Sequence, residues 1–180
     1  MSVGHVLLGV LAAGPAHGYE LKREHDQRFP SAKPLAFGQV YATLSRLERD
    51  GLVEVAESSQ DAGPERTAYA LTPAGARALE AWLAEPEDAG PYPADDLVRK
   101  TVTALRLGTD TAPYLQRQRQ SHLARMRELL DLQQHTTDTS ARIAVDHVIT
   151  HLDADLRWLD AAAERVAQER RASGATARRS

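Results

Sequence analysis

The sequence contains no cysteine, few aromatic residues and no excess of basic charge. Without cysteine there can be no disulfide bond, thiolate metal site or cysteine nucleophile, and the composition is compatible with a reducing cytoplasm. The 22 basic and 25 acidic residues give a formal net charge of -3, which is no global nucleic-acid signature. Glycine-rich phosphate loops, a nucleophile elbow and an ordered catalytic triad are also missing, so we expect neither an enzyme nor a cofactor.

The apolar run at residues 6–13 is too short to cross a bilayer. No lysine or arginine precedes it, so the positively charged region of a secretory signal is missing. We interpret this run as a core helix and expect a soluble protein of the cytoplasm.

Residues 35–52 are predicted to form one helix that ends at Gly51. Three apolar residues spaced i, i+4 and i+7 form a stripe along one side: Val40, Leu44 and Leu47. The other side carries small and polar residues: Gln39, Ala42, Thr43 and Arg46. A helix that enters the DNA major groove needs such outward side chains, although an ordinary amphipathic helix with a solvated face has the same pattern.

The elements around this helix suggest how it is used. Helices at 3–12 and 17–28 precede it, and two β-prone runs around a turn at 58–64 follow it. Thr72 and Pro73 then begin a fourth helix. Three helices followed by a two-stranded hairpin are typical of a winged helix-turn-helix, in which the third helix enters the major groove.

The rest of the chain is predicted to be helical, so the expected fold is mainly α with a small β-hairpin. We predict a winged-helix DNA-binding domain at 1–85, a linker at 86–94, a helical dimerisation or effector domain at 95–169 and a disordered tail at 170–180. The last helix carries a heptad seam that includes Val145, Ile149, Leu152, Leu156 and Leu159. Its partner could be the preceding helix or the same helix of a second chain.

Five short motifs occur in a fixed order: 17–21 (HGYEL), 38–41 (GQVY), 44–52 (LSRLERDGL), 69–75 (YALTPAG) and 82–83 (WL). With these motifs the sequence resembles the PadR family of bacterial transcriptional regulators. Its helical C-terminal half resembles that of the longer, PadR-like subgroup. The resemblance implies a homodimeric repressor that binds a palindromic operator and releases it when a small, often aromatic, molecule binds. The family commonly has a proline where this sequence has Ala42.

Three residues of the 35–52 helix are candidates for contacts with base edges. Gln39 can pair bidentately with adenine, Arg46 can do so with guanine, and Thr43 can donate to a base or contact a thymine methyl. For Arg46 the alternative is a surface ion pair with Asp50, four residues further along the helix.

Four further residues are candidates for contacts with the DNA backbone. Tyr41, at a position that matches the family, could reach a phosphate, or it could be half-buried packing. Lys22 and Lys33 are phosphate candidates, which would position the protein but carry no sequence information. Arg66 lies in the predicted hairpin loop and could contact the minor groove or the backbone.

The local charge leaves a second function open. Residues 1–85 hold 8 basic and 11 acidic residues, so DNA binding would depend on local clustering of positive charge, because affinity comes mostly from phosphate neutralisation. The same acidic balance suits a winged-helix module that binds another protein and no specific DNA.

Two features of the last helix have both a functional and a structural explanation. His147 and His151 lie one turn apart, with Asp155 a turn further, a spacing that can hold a metal ion. The glutamate of a metalloprotease motif is missing, and a third clear ligand is also missing, so we favour a solvated or interfacial helix face and expect no metal site. Trp158 could line a pocket for an aromatic effector, or it could be a partly buried packing residue.

Overall fold

The structure is a computed structural model that describes residues 2–57, 67–87 and 95–177. The chain divides into two units, Met1–Ala89 and Gly90–Ser180. The division lies within residues 86–94, the region predicted as a linker. Within the described ranges, none of the helices combines the length and the apolarity needed to cross a membrane.

The first unit is mainly helical and contains a three-stranded antiparallel sheet. Its elements are α1 (Ser2–Leu11), β1 (Ala16–His17), α2 (Gly18–Arg28), α3 (Phe37–Arg49), β2 (Val53–Glu57), β3 (Ala68–Leu71) and α4 (Pro73–Ala84). The predicted class, mainly α with a winged helix-turn-helix, is confirmed. The strand order is β1-β3-β2, so β1 is an addition to the predicted hairpin. A strand of two residues has no alternation from which it could be predicted.

The core of the first unit lies where α1, α2 and α3 meet. Each of these helices contributes fully buried side chains: Leu7, Leu8, Leu21, Val40 and Leu44. The apolar stripe predicted for α3 faces this core. Because burial of one such side chain contributes roughly 1.5–3 kcal/mol, the stripe determines which side of α3 is left exposed.

Contacts around Thr72 hold α4 against the end of α3. The Thr72 hydroxyl oxygen accepts a hydrogen bond from the backbone N–H of Gly75 at 3.0 Å and donates to the carbonyl oxygen of Gly51 at 2.7 Å. A Cβ at position 75 would overlap the carbonyl oxygen of Leu52. Only glycine fits at this approach, so the YALTPAG motif is explained by packing at the end of α3.

The second unit consists of α5 (Asp96–Arg106), α6 (Ala112–His135) and α7 (Thr139–Ala177). Polar side chains pair between α6 and α7 in reverse order along the chain: Arg119 with Asp160 at 2.7 Å, His122 with Asp155 at 3.7 Å, and Gln133 with Asp146 at 2.5 Å. The two helices therefore run antiparallel as a helical hairpin.

The heptad seam of α7 finds a partner helix within its own chain. Val145 and Leu159 are 0 % and 1 % exposed in the single chain, whereas Ile149, Leu152 and Leu156 are half-buried. Of the two alternatives that the sequence left open, pairing within the chain therefore applies to Val145 and Leu159, because side chains of the same chain already cover them. A dimer contact is thereby corrected for these two residues, and for Ile149, Leu152 and Leu156 it stays a prediction.

The predicted disordered tail is largely part of α7. The helix continues to Ala177, and Arg170 forms an ion pair with Asp110. Arginine and alanine, frequent in this stretch, are among the best helix formers. The prediction of disorder is therefore wrong for residues 170–177, while 178–180 lie outside the described residues.

Candidate nucleic-acid interface

One side of α3 is exposed and carries polar and basic groups. The residues along it are Gly38, Gln39, Ala42, Ser45, Arg46 and Arg49. The sequence predicted Gln39, Ala42 and Arg46 for this side but not Ser45 or Arg49. Ser45 lies three and Arg49 seven positions after Ala42, so the helical period of 3.6 residues could have identified both.

Arg46 does not form the surface ion pair that was the alternative to a base contact. Within the described part of the chain, no carboxylate lies within ion-pair distance of its guanidinium. Asp50 pairs with Arg49, whose Nε lies 3.3 Å from Oδ1 of Asp50. These two side chains are 73 % and 47 % exposed, so solvent screens their attraction.

Thr43 does not lie on the exposed side of α3. It is only 7 % exposed, and its hydroxyl donates to the carbonyl oxygen of Gln39 at 2.7 Å. Helix α1 covers it, because a Cβ at position 4 would lie 3.8 Å from Cγ2 of Thr43. The prediction that Thr43 contacts a base edge is therefore corrected: the residue is next to Leu44 and three positions after Val40, at the margin of the buried stripe.

Tyr41 is half-buried and packs against the N-terminal end of α2. Its ring lies over Gly18, where a Cβ would be 2.6 Å from Cε1 of the tyrosine. The structure thus shows Tyr41 in the packing role that the sequence left open. A contact of its hydroxyl with a DNA phosphate stays a prediction.

Lys22 is engaged within the protein. Its Nζ lies 2.6 Å from Oδ2 of Asp26 and 5.5 Å from the centre of the Phe37 ring. Asp26 also accepts a hydrogen bond from the backbone N–H of Leu35 at 3.0 Å. Together with Asp26, Lys22 thus ties α2 to the segment that leads into α3, and its contact with a DNA phosphate stays a prediction.

Asp26 is the centre of this arrangement. Burial by itself raises the pKa of Asp26, but hydrogen bonds from Lys22, the Leu35 N–H and His25 outweigh it, so the pKa lies below its ordinary value. The ionised carboxylate can accept all of these bonds at once. Its i, i+4 spacing from Lys22 is a sequence signal for an ion pair, whereas nothing in the sequence indicates the contact with Leu35.

Of the two remaining candidates for contacts with the DNA backbone, the structure describes Lys33 but not Arg66. Lys33 is exposed in the segment between α2 and α3, as a phosphate contact requires, and its role stays a prediction. Arg66 and the hairpin tip at 58–66 lie outside the described residues.

A separate feature of the second unit is a cavity of about 230 Å³ beside Trp158. The half-buried indole forms part of its wall. The cavity is lined from α5 by Thr101, Val102 and Leu105 and from α7 by Trp158, Ala161, Ala162, Arg165, Val166 and Glu169. It therefore combines an aromatic and aliphatic wall with one arginine and one glutamate.

Comparison with known proteins supports the resemblance seen in the sequence. Residues 7–81 match the model of the transcriptional regulator PadR-like family. A protein of Mycobacterium tuberculosis named as a probable transcriptional regulator is 30% identical over 86 residues, which make up 48% of this chain and 46% of that protein. The match thus spans about half the length of this curated relative.

Solved structures show the same fold at low sequence identity. Bacillus subtilis PadR in complex with operator DNA has a TM-score of 0.73 and 17% identity, over 92% of this chain and 99% of that one. The same protein in complex with p-coumaric acid has a TM-score of 0.74 and 15% identity over the same shares of the two chains. The Vibrio cholerae virulence activator AphA has a TM-score of 0.71 and 21% identity, over 93% and 99%.

These findings confirm the resemblance expected from the motifs. The matched family and the M. tuberculosis relative are both described as transcriptional regulators and not as enzymes. Residues 7–81 are thus similar to the transcriptional regulator PadR-like family.

Proposed function

We propose that this protein is a dimeric, sequence-specific DNA-binding repressor that uses α3 as its recognition helix. The observation that carries the proposal is the exposed side of α3. Gln39 and Arg46 both lie on this exposed side, whereas Thr43 between them is buried. Among the described residues, no carboxylate lies close enough to neutralise Arg46. Glutamine and arginine are the side chains best suited to bidentate contacts with adenine and guanine.

The operator complex of Bacillus subtilis PadR supports the same use of the fold. A palindromic operator has half-sites about one helical turn, roughly 34–36 Å, apart, so each is read by one copy of a dimer. A repressor of this kind works where the DNA is, which for a bacterial regulator is the cytoplasm.

The second unit is proposed to make the dimer contact. Ile149, Leu152 and Leu156 remain partly accessible on α7, and α5 exposes the large apolar side chains Val102 and Leu105. A second copy would cover such side chains, which a soluble protein rarely exposes as a continuous patch. Sedimentation should show a dimer, and Leu152→Glu should shift it toward a monomer; a monomeric wild type at micromolar concentration would contradict this part.

The cavity beside Trp158 is the proposed effector site. Its volume of about 230 Å³ is below that of pockets for drug-sized ligands, so it suits a molecule with a single ring. The indole could stack on that ring, and Arg165 could pair with a carboxylate. Bacillus subtilis PadR is known in complex with p-coumaric acid, a molecule of this class. Binding would release DNA by favouring one of two arrangements of the protein.

Fluorescence anisotropy tests the function as a whole. The purified protein is titrated onto the DNA just upstream of its own gene and onto a scrambled duplex of equal length and composition, at the same stated salt. Tight binding to the first and weak binding to the second is expected. Equal, weak binding to both duplexes would contradict specific binding at this site.

One observation favours a second function, a winged-helix module that binds a protein. Residues 1–85 have a net charge of -3, from 8 basic and 11 acidic residues. Charge reversal distinguishes the two functions: Arg46→Glu combined with Lys33→Glu should abolish DNA binding if α3 enters the groove. If the partner is a protein, the same double variant should leave the weak, non-specific DNA binding little changed.

A further inference from the structure

Two exposed histidines on α7 direct their ring nitrogens at each other. Nε2 of His147 lies 3.1 Å from Nε2 of His151, and the ring centres are 4.3 Å apart. Both side chains face solvent, so an ion can reach them without any rearrangement of the fold.

This separation matches two imidazole ligands in neighbouring coordination positions. With each nitrogen about 2.1 Å from an ion and an angle of about 90° between the bonds, the two nitrogens lie about 3 Å apart. A tetrahedral angle would separate them by roughly 3.4 Å. The observed distance is therefore closer to a square or octahedral arrangement, which Cu²⁺ and Ni²⁺ favour.

The same distance also permits one neutral ring to donate a hydrogen bond to the other. That bond requires a proton on one of the two Nε2 atoms. When this proton moves to Nδ1 of the same ring, each neutral imidazole presents a lone pair at Nε2. A metal ion can then replace the hydrogen bond between the two rings. In that tautomer both Nε2 lone pairs are available to one ion that lies about 2.1 Å from each nitrogen.

We propose that His147 and His151 form a bidentate site for a divalent transition-metal ion, Cu²⁺ or Ni²⁺. Within the described ranges, no cluster of three or more metal-binding side chains occurs, so water completes the coordination. Asp155, the next residue along this line of α7, faces His122 with 3.7 Å between Oδ2 and Nε2. The site uses none of the residues assigned to DNA or to the effector.

Nitrogen ligands determine which ions the site takes. Mg²⁺ and Ca²⁺ prefer oxygen ligands, so neither should compete. Among divalent ions of the first transition row, affinity for nitrogen sites is highest for Cu²⁺, which makes this ion the most sensitive probe.

Electron paramagnetic resonance with Cu²⁺ tests the proposal on the full-length protein without a histidine tag, in a non-coordinating buffer. One Cu²⁺ per chain with splitting from two imidazole nitrogens is expected. His151→Ala should lose the two-nitrogen signal, whereas His135→Ala, at an exposed histidine of α6, should keep it. Circular dichroism should show both variants folded, because neither position is buried.

A second measurement does not depend on the spectrum. Ni²⁺ binding to the folded state should raise the melting temperature of the wild type and of His135→Ala, but not that of His151→Ala. The proposal is overturned if wild type and His151→Ala bind Cu²⁺ alike, or if Ni²⁺ raises the melting temperature of both equally.

Discussion

A Cβ at position 18 would lie 2.6 Å from Cε1 of Tyr41. Gly18 has no positive φ, so glycine is required there for space and not for backbone conformation. The contact joins the first residue of α2 to α3, and it connects the HGYEL and GQVY motifs, which are far apart in the sequence. Both motifs are therefore explained by one approach between two helices.

Gly18→Ala should destabilise the protein, because the added methyl forces the Tyr41 ring or α2 to move. Overpacking of this kind typically costs about 1–3 kcal/mol. Urea unfolding measures the effect. The matched control is Gly38→Ala, since a Cβ at position 38 meets nothing within 4 Å and alanine is favoured over glycine in a helix by roughly 0.5–1 kcal/mol. Equal stability of the two variants would contradict the packing argument.

Asp26 should make the stability of the protein depend on acidity. Because its pKa in the folded state lies below its ordinary value, its contribution is fully present above the unfolded-state pKa of about 3.9. The contribution is lost as the pH falls through the lower, folded-state pKa. The difference in unfolding free energy between wild type and Asp26→Asn should therefore shrink below about pH 4.

The control for Asp26 is Glu24→Gln on the same helix. Glu24 lies 3.6 Å from Arg23 in a solvent-exposed pair, which should contribute little to stability at any pH. A difference between wild type and Asp26→Asn that does not change with pH would show that the carboxylate charge is not what ties α2 to Leu35.

Operator binding should depend only weakly on salt. The first 85 residues are net negative, Lys22 is paired with Asp26, and Arg49 is paired with Asp50, so few cations remain for phosphates. The slope of log K against log salt is about -0.9 per phosphate neutralised. Titrations at several salt concentrations should give a slope that is much less steep than the slope of a protein with roughly 6–10 phosphate contacts. A slope as steep as that of such a protein would contradict the prediction.

The proposed effector site can be followed through the fluorescence of Trp158. The chain has two tryptophans, and Trp82 stacks on His5 with ring centres 4.9 Å apart. In the Trp82→Phe variant, p-coumaric acid should quench the fluorescence of Trp158, and the quenching should saturate as the ligand concentration rises. The absorbance of the ligand itself is corrected for. Arg165→Ala should weaken that binding, since the carboxylate loses its partner. Quenching that never saturates would argue against this cavity.

The sequence predicts α3 well because its buried stripe obeys the helical period over several turns and its end is marked by Gly51, which has a positive φ of 70°. It fails at Thr43, since a residue at the margin of a stripe is buried or exposed according to the neighbouring helix, here α1. Lys22 illustrates a similar limit: its charge makes it a candidate for a phosphate contact, whereas its ion pair with Asp26 is positioned by a contact of Asp26 with the backbone of Leu35. Pairing of α7 with α6 also depends on tertiary packing, which a heptad pattern does not specify.

The most direct test of the central claim is the ratio of affinities for upstream and scrambled DNA, measured for wild type, Arg46→Ala and Arg77→Ala by anisotropy at one salt concentration. Arg77 is an exposed arginine of α4 and matches Arg46 in charge and size. If α3 reads base edges, Arg46→Ala should lose about 1–3 kcal/mol of specific binding and bring the ratio toward one, while Arg77→Ala keeps it. A ratio that Arg46→Ala leaves unchanged would contradict the assignment of α3 as the recognition helix.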